Sequence, residues 1–213
     1  MTKLIKTMIA GMAATVLLTG CAGNAARTRA DGSSVTLTDI SVSVQYPESW
    51  SVFTGDKVYD EIYSSYTDTY SDAKSMREGV EGSGLEYLVY GYSPDRLSMV
   101  TISVQDMTAD SFGTDSLTAA EYARTVHDST VISYQASDYK IGNGSFSDAS
   151  YGGYDGWLSC FDLLSPDEEP QFIFGQAVFI FPDGNDIYKV QVLWSQDEQS
   201  AEALSVLDSM KAE

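Results

Sequence analysis

The chain has 213 residues, of which 43% are hydrophobic and 12% aromatic, so it can bury a core and does not have the composition of a disordered protein. Twelve Lys and Arg residues face 31 Asp and Glu residues, and the formal net charge is −19 at pH 7. Because such an acidic surface repels phosphate backbones and anionic lipids, we expect no nucleic-acid partner.

Residues 1–20 have the order of a secretory signal peptide. Lys3 and Lys6 give a positive start, and an apolar run extends from Met8 to Leu18. This run is shorter than the roughly 20 apolar residues that a mature membrane-spanning helix needs. The sequence LTGC at 18–21 then resembles the lipobox of bacterial lipoproteins. The resemblance implies cleavage before Cys21 and acyl chains, such as palmitate, attached through its sulfur; an ordinary signal peptide with a chance cysteine is the alternative.

Loss of the signal would leave 10 basic residues against 31 acidic ones, a formal charge of −21. The chain would therefore contact the membrane through acyl chains on Cys21 and not through a basic patch. We expect a lipid-anchored protein on the extracytoplasmic face of the cell membrane. The predicted organisation is a signal at 1–20, lipidated Cys21 with a small, polar tether to residue 33, and one domain at 34–213.

The first half of the domain alternates between strand and helix patterns. Residues 35–53 predict short strands, because apolar and polar side chains alternate with a period of two. Residues 56–76 predict a helix ended by glycines at 79–84, with one face made by Tyr59, Ile62, Tyr63, Tyr66, Tyr70 and Ala73. Residues 85–92 and 97–107 predict a strand pair joined by a turn with Pro94 at its second position.

The second half begins with a capping box, Thr118 with Glu121, that predicts a helix to about Asp128. Residues 131–150 have a weaker pattern, which we interpret as two strands about a Gly-Asn-Gly turn. Strands are predicted at 157–164, 171–181 and 187–194, with Lys189 and Gln191 facing outward on the last of them. A second capping box, Ser195 with Glu198, predicts a closing helix that buries Ala201, Leu204, Leu207 and Met210.

Consecutive strands with short links favour an antiparallel sheet, and a strand that is apolar on both faces needs cover on both sides. We therefore predict an α+β fold, a three-layer α/β/α sandwich around one mainly antiparallel sheet. The sequence VSVQYPESW at 42–50, followed near the end by a strand at 187–194 and a helix finishing near 209–211, resembles PsbP-like domains. LpqN-like bacterial lipoproteins carry this fold behind a lipobox. The resemblance implies an accessory or binding component of a larger assembly, and it carries over no catalytic residue.

Few residues suggest chemistry. His127 is the only histidine, and without a nucleophile elbow we interpret it as a half-packed helix residue and not as part of a Ser-His-Asp triad. Cys160 lies in an apolar run, has no disulfide partner if Cys21 is lipidated, and is interpreted as a small buried hydrophobe. The oxygens at 182–186 lack the spacing of a calcium loop, so we expect no metal and no cofactor.

Three functions remain open at this point. The first is a non-catalytic binding or accessory module of the cell envelope, with an unknown envelope protein or small ligand as its partner. The second is a glycan or small-ligand binder that uses a tyrosine-rich face; the same tyrosines would alternatively cover the sheet. The third is a hydrolase. The residues of the tyrosine face are Tyr59, Tyr63, Tyr66 and Tyr70.

Overall fold

A computed structural model describes residues 27–108 and 117–213, and within these ranges the chain forms eleven strands, four α-helices and one 3-10 helix. In chain order the elements are β1 (Thr28–Asp31), β2 (Ser34–Leu37), β3 (Val42–Gln45), β4 (Ser51–Thr54), α1 (Asp56–Tyr63), α2 (Ala73–Glu81), β5 (Leu85–Tyr92), β6 (Ser98–Asp106), α3 (Ala119–Gln135), β7 (Lys140–Tyr151), β8 (Tyr154–Leu164), β9 (Phe172–Asp183), β10 (Asp186–Trp194), the 3-10 helix (Asp197–Gln199), α4 (Ser200–Asp208) and β11 (Lys211–Ala212).

The main sheet has seven strands in the order β4-β5-β6-β10-β9-β8-β7, and every neighbouring pair is antiparallel. This order places β10 in the centre, with three strands on each side. Tight links make the hairpins: Gly152 and Gly153, both at positive φ, turn the chain between β7 and β8. The predicted α+β class with a mainly antiparallel sheet is confirmed.

A second sheet, which the sequence did not predict, covers one face of the main sheet. It has the order β1-β2-β3-β11, and it packs together with α4 over the inner residues of β6, β9 and β10. The prediction of helices alone on both sides was therefore wrong for this face. The buried side chains that join the two sheets and α4 include Val35, Leu37, Val42, Val44, Val100, Ile102, Phe179, Val190, Val192, Val206 and Leu207.

The opposite face of the main sheet carries the other helices. Helices α1 and α2 pack on β5, and α1 also contacts β4, whereas α3 packs on β7, β8 and β9. The two groups of helices therefore cover the two ends of the sheet. Between them lie β6 and β10, the strands on which the candidate site is built.

The predicted helix at 56–76 is divided into α1 and α2. Residues 64–72 are rich in Ser, Thr and Asp, which bond locally to the backbone and disfavour a continuous helix. Asp72 then starts α2, since its carboxylate accepts a hydrogen bond from the amide of Ser75 at 2.7 Å. Helix α2 continues through Gly79 to Glu81, so the predicted break at 79–84 comes too early.

Strand structure is present before the predicted domain boundary at residue 34. Thr28–Asp31 forms β1, paired with β2, although the sequence assigned it to the tether. Arg27 is held by ion pairs with Asp39, Glu86 and Asp186 at 3.3, 3.5 and 3.1 Å. The four residues of β1 are polar or small, so the sequence shows no alternation of apolar side chains there. The strand forms because β2 is available to pair with it.

Three further boundaries differ from the sequence prediction. Helix α3 extends to Gln135, beyond Asp128, and β7 is one strand with a bulge between Gly142 and Ser145 and not two strands. A 3-10 helix precedes α4, whose first residue is Ser200 and which has no side-chain cap, so the predicted capping box at 195–198 does not start it. The apolar face of α4 is Ala203, Val206 and Leu207, while Ala201 is exposed.

Candidate functional site

A small pocket lies on the helix-covered face of the main sheet, where Ile62 of α1 faces β5, β6 and β10. Its volume is about 20 Å³, enough for one or two water-sized groups. We call it the Lys189 pocket, after the one charged side chain in its lining. It is lined by Ile62, Tyr87, Tyr90, Met99, Thr101, Lys189, Gln191 and Leu193.

Strand register explains why these side chains meet. Directly opposed residues of antiparallel strands project from the same face of the sheet. Tyr87 of β5, Ser103 of β6 and Lys189 of β10 form one row across the sheet. Tyr90, Thr101 and Gln191 form the next row, and Met99 with Leu193 belongs to the third. Two polar rows therefore lie beside an apolar one.

Lys189 is the electrostatic feature of the pocket. It is half-buried as a residue, and burial lowers the pKa of its ammonium group to about 8 because the charged form is poorly solvated. Among the described residues, no carboxylate lies within ion-pairing distance of it. Arg27, in contrast, has three carboxylates around it.

The polar neighbours of Lys189 are neutral. Ser103 is 1% exposed, and its hydroxyl has no hydrogen-bond partner among the residues that the structure describes. The side-chain amide of Gln191 donates to the amide oxygen of Gln176 at 3.2 Å. Burial raises the pKa of Tyr90 to about 12, and it also raises that of Tyr87, so both phenols are neutral at pH 7. The pocket thus combines one cation with neutral hydrogen-bonding groups.

The structure does not bring the four tyrosines of the predicted binding face to an open surface. Tyr59 and Tyr66 are each 3% exposed and belong to the core under α1 and α2. The Tyr59 hydroxyl accepts a hydrogen bond from the backbone amide of Tyr87 at 3.2 Å. Tyr63 and Tyr70 are half-buried, and the Tyr63 hydroxyl donates to the carbonyl of Ser71 at 2.8 Å. Their main contribution is to cover the sheet.

His127 lies on α3 and is half-buried, as expected for a packed helix residue. Its Nδ1 is 2.7 Å from the hydroxyl of Ser159 on β8, and its ring packs on Phe146. Ser159 is only 2% exposed, so this hydroxyl is closed to a substrate. Burial lowers the pKa of His127. We interpret the pair as a structural link between α3 and the sheet.

Cys160 is a half-buried free thiol on β8, and burial raises its pKa, with a smaller contribution from Asp162. These properties fit a small packed side chain better than a nucleophile. Cys21, the predicted lipid-attachment residue, lies outside the described residues. Among residues 27–108 and 117–213 no group of three or more potential metal ligands occurs, and none of the helices there is long and apolar enough to span a bilayer.

Sequence reasoning recognised parts of the pocket without assembling it. Residues 97–107, which contain Thr101 and Ser103, were predicted as one strand, and Lys189 and Gln191 as the outward face of another. In the structure, Lys189 and Gln191 are half-buried on the helix-covered face. The missing step was the pairing of these two strands, which are separated by about 80 residues of chain and meet in register as β6 and β10. A lysine within the apolar strand pattern at 187–194 was the available signal.

No family model matches the sequence, and no match occurs among the curated proteins. The chain is similar in structure to a cyanobacterial PsbP (CyanoP) from Synechocystis sp. PCC 6803, with a TM-score of 0.49 and 14% identity over 92% of this chain and 99% of that one. It is also similar to LpqN, a Mycobacterium tuberculosis protein involved in cell envelope biogenesis, with a TM-score of 0.38 and 10% identity over 80% and 82% of the two chains.

A protein from Bacteroides thetaiotaomicron is also similar, with a TM-score of 0.37 and 16% identity over 81% of this chain and 45% of the other. All three TM-scores are below 0.5, so no functional residue is transferred from these proteins. The similar structures do include the two kinds of protein, PsbP and LpqN, that the sequence motifs resemble.

Proposed function

We propose that the chain is a lipid-anchored, extracytoplasmic module of the cell envelope that binds a partner or small ligand without catalysing a reaction. The observation that carries the proposal is the order of residues 1–27. A signal-like segment ends in LTGC at 18–21, and a folded domain is already held in place by ion pairs at Arg27. The lipid-attachment residue and the domain are thus close neighbours in the chain.

This closeness supports a role at the membrane surface. Six residue steps separate the Cα atoms of Cys21 and Arg27, and even a fully extended chain spans at most about 21 Å over that distance. The domain would therefore remain next to the bilayer, although its formal charge of −21 after cleavage gives it no electrostatic attraction to anionic lipid. Acyl chains on Cys21 would supply the attachment, at about 0.8 kcal/mol for each buried CH₂ group.

The Lys189 pocket favours binding over a passive spacer role. A lining with a few polar groups among apolar and aromatic side chains has the composition typical of ligand sites. The glycan hypothesis, in contrast, now depends on Tyr63 and Tyr70, because Tyr59 and Tyr66 are buried. A hydrolase would need an accessible nucleophile, and the serine beside His127 is covered.

The anchor is tested by expressing the full chain with Cys21→Ser and, as a matched cysteine control, Cys160→Ser. We expect the unmodified chain and the Cys160→Ser variant to incorporate a palmitate analogue and to sediment with membranes. The Cys21→Ser variant is expected to lose the label. The proposal is overturned if Cys21→Ser protein is still processed, labelled and sedimented as the unmodified chain is.

The absence of catalysis is tested separately with the anchored protein and generic ester, peptide and glycoside substrates. We expect no turnover above that of a preparation lacking the chain. Turnover that is abolished by His127→Ala, in a variant whose circular dichroism spectrum shows that the fold is retained, would contradict the non-catalytic assignment and would support the hydrolase alternative.

A further inference from the structure

We propose that the Lys189 pocket binds the carboxylate group of a small ligand, with the lysine ammonium as its counter-ion and the Thr101 hydroxyl and Gln191 amide as neutral donors. The inference rests on the proposed function as a binding module and goes further by naming the class of ligand and the residues that hold it. Its elements are the charge, the unused hydrogen-bonding capacity, the size and the apolar rim of the pocket.

The charge of the pocket is not compensated within the described chain. A half-buried ammonium loses part of its hydration, and a protein normally restores the balance with a carboxylate. This chain has 31 acidic residues, and Arg27 and Arg77 both have carboxylate partners. Lys189 has none among the described residues, although it lies in the central strand of the sheet. An anionic ligand would supply the missing charge.

Unused hydrogen-bonding capacity lies in the same rows of the sheet. The Ser103 hydroxyl lies in register with Lys189, beside the pocket and not in its lining, and is buried and without a partner among the described residues. A buried, unsatisfied hydroxyl costs about 1–3 kcal/mol, so it is retained where something compensates it. Thr101 and Gln191 line the pocket in the neighbouring row. A bound anion would accept hydrogen bonds from the Thr101 hydroxyl and from the second amide hydrogen of Gln191, whose other hydrogen is directed to Gln176, and a water beside the anion would serve Ser103.

The size of the pocket selects among anions. A volume of about 20 Å³ accommodates one or two water-sized groups, which matches the two oxygens of a carboxylate. A phosphate or sulfate group would leave at least two of its four oxygens outside such a volume. The apolar side chains of Ile62, Met99 and Leu193 lie beside the polar rows, and they suit a hydrocarbon segment adjoining the carboxylate.

A purely structural role for Lys189 is the competing explanation. Lysine can lay its alkyl stem over apolar residues and direct its ammonium to water. In that case its charge would be solvated, and anions would bind to Lys189 no more tightly than to other surface lysines. A matched comparison with an exposed lysine separates the two explanations. Lys57 on α1 is exposed and serves as that control.

The test uses the full lipidated chain in a non-ionic detergent at pH 7 and constant ionic strength. Thermal unfolding is followed as acetate, butyrate, phosphate, chloride or neutral acetamide is titrated, and apparent dissociation constants are derived from the shift in midpoint. We expect acetate and butyrate to protect the chain and the Lys57→Met variant. Lys189→Met should remove this protection, and Thr101→Val should weaken it about tenfold.

A pH series adds a second readout. The titratable groups facing Lys189 in the described lining are Tyr87 and Tyr90, and both remain neutral up to pH 9. Because the ammonium group has a pKa of about 8, the affinity for acetate should fall about tenfold between pH 7 and pH 9. This series uses the unmodified chain, so it stands even if a variant fails to fold.

Three results would overturn the inference: equal protection of Lys189→Met and the unmodified chain, stronger protection by phosphate or chloride than by acetate, or no protection by any carboxylate. The palmitate-labelling experiment is independent of this outcome. If the chain is palmitate-labelled and membrane-bound but does not bind carboxylates, the ligand assignment is wrong and the proposed membrane anchor stands. If the chain binds carboxylates but is not palmitate-labelled, the ligand assignment stands and the proposed membrane anchor is wrong.

Discussion

Replacing Lys189 with methionine should stabilise the protein at pH 7. The side chain keeps its approximate length, and the desolvated charge is removed. Burial lowers the pKa of Lys189 from 10.5 to about 8, and each pKa unit corresponds to 1.36 kcal/mol. The full shift would therefore amount to about 3 kcal/mol of destabilisation by the charged lysine. Since the residue is half-buried and solvent screens part of this cost, we expect a gain of about 1–3 kcal/mol in the free energy of unfolding.

The sign of the pH dependence follows from linkage. Between the folded pKa of about 8 and the unfolded value near 10.4, the unfolded chain binds more protons than the folded chain at this residue. The lysine's contribution therefore becomes less unfavourable as pH rises through this window. The advantage of Lys189→Met should be fully present at pH 7 and nearly absent at pH 10.5.

Urea denaturation at pH 7, pH 9 and pH 10.5 measures this difference directly. Lys57→Met is the control for loss of one positive charge, and its effect should be within about 0.5 kcal/mol at each pH. The tyrosines titrate in all three proteins and cancel in the comparison. The reasoning is refuted if Lys189→Met is destabilised by more than about 1 kcal/mol at pH 7, or if its advantage does not change with pH.

Three other predictions concern the framework around the pocket. Thr118→Ala removes the capping box with Glu121 and should lower the free energy of unfolding by about 1 kcal/mol; an unchanged urea midpoint would contradict this. Gly175→Ala places a methyl group against the indole ring of Trp194 and should cost about 1–3 kcal/mol, with altered tryptophan fluorescence; a native-like spectrum and midpoint would contradict it. The NMR signal of His127, the single histidine, should titrate with a pKa below 6.5, because burial disfavours the imidazolium. The free energy of unfolding should therefore fall as the pH drops from 6.5 through that lower pKa. A pKa at or above 6.5 for His127 would be incompatible with the packing described.

The class of fold could be predicted because local signals agree with the tertiary structure along most strands. Residues 98–106 and 186–194 alternate with a period of two, and their inner residues are the buried core of the main sheet. The Thr118 capping box likewise starts α3 at the expected residue. These features depend on neighbours within four residues, which a sequence displays directly.

Elements that depend on distant partners were missed. Strand β1 is a polar segment that becomes a strand by pairing with β2, and β11 has two residues. Neither has a period of its own, so the second sheet could not be predicted. The same limit applies to the pocket, because the juxtaposition of Ser103 with Lys189 arises from pairing across the whole α3–β9 segment. The division of the helix at 56–76 was foreseeable from its Ser- and Thr-rich middle, which the regular spacing of tyrosines concealed.

The most direct test of the Lys189 pocket is the pKa of that ammonium group in the unmodified chain. It can be followed by the ¹³Cε chemical shift in lysine-labelled protein and assigned by the loss of one signal in Lys189→Met. We predict a value of about 8 without ligand and a higher value in saturating acetate, because a carboxylate favours the charged form. A value near 10.4 in both conditions would contradict the account.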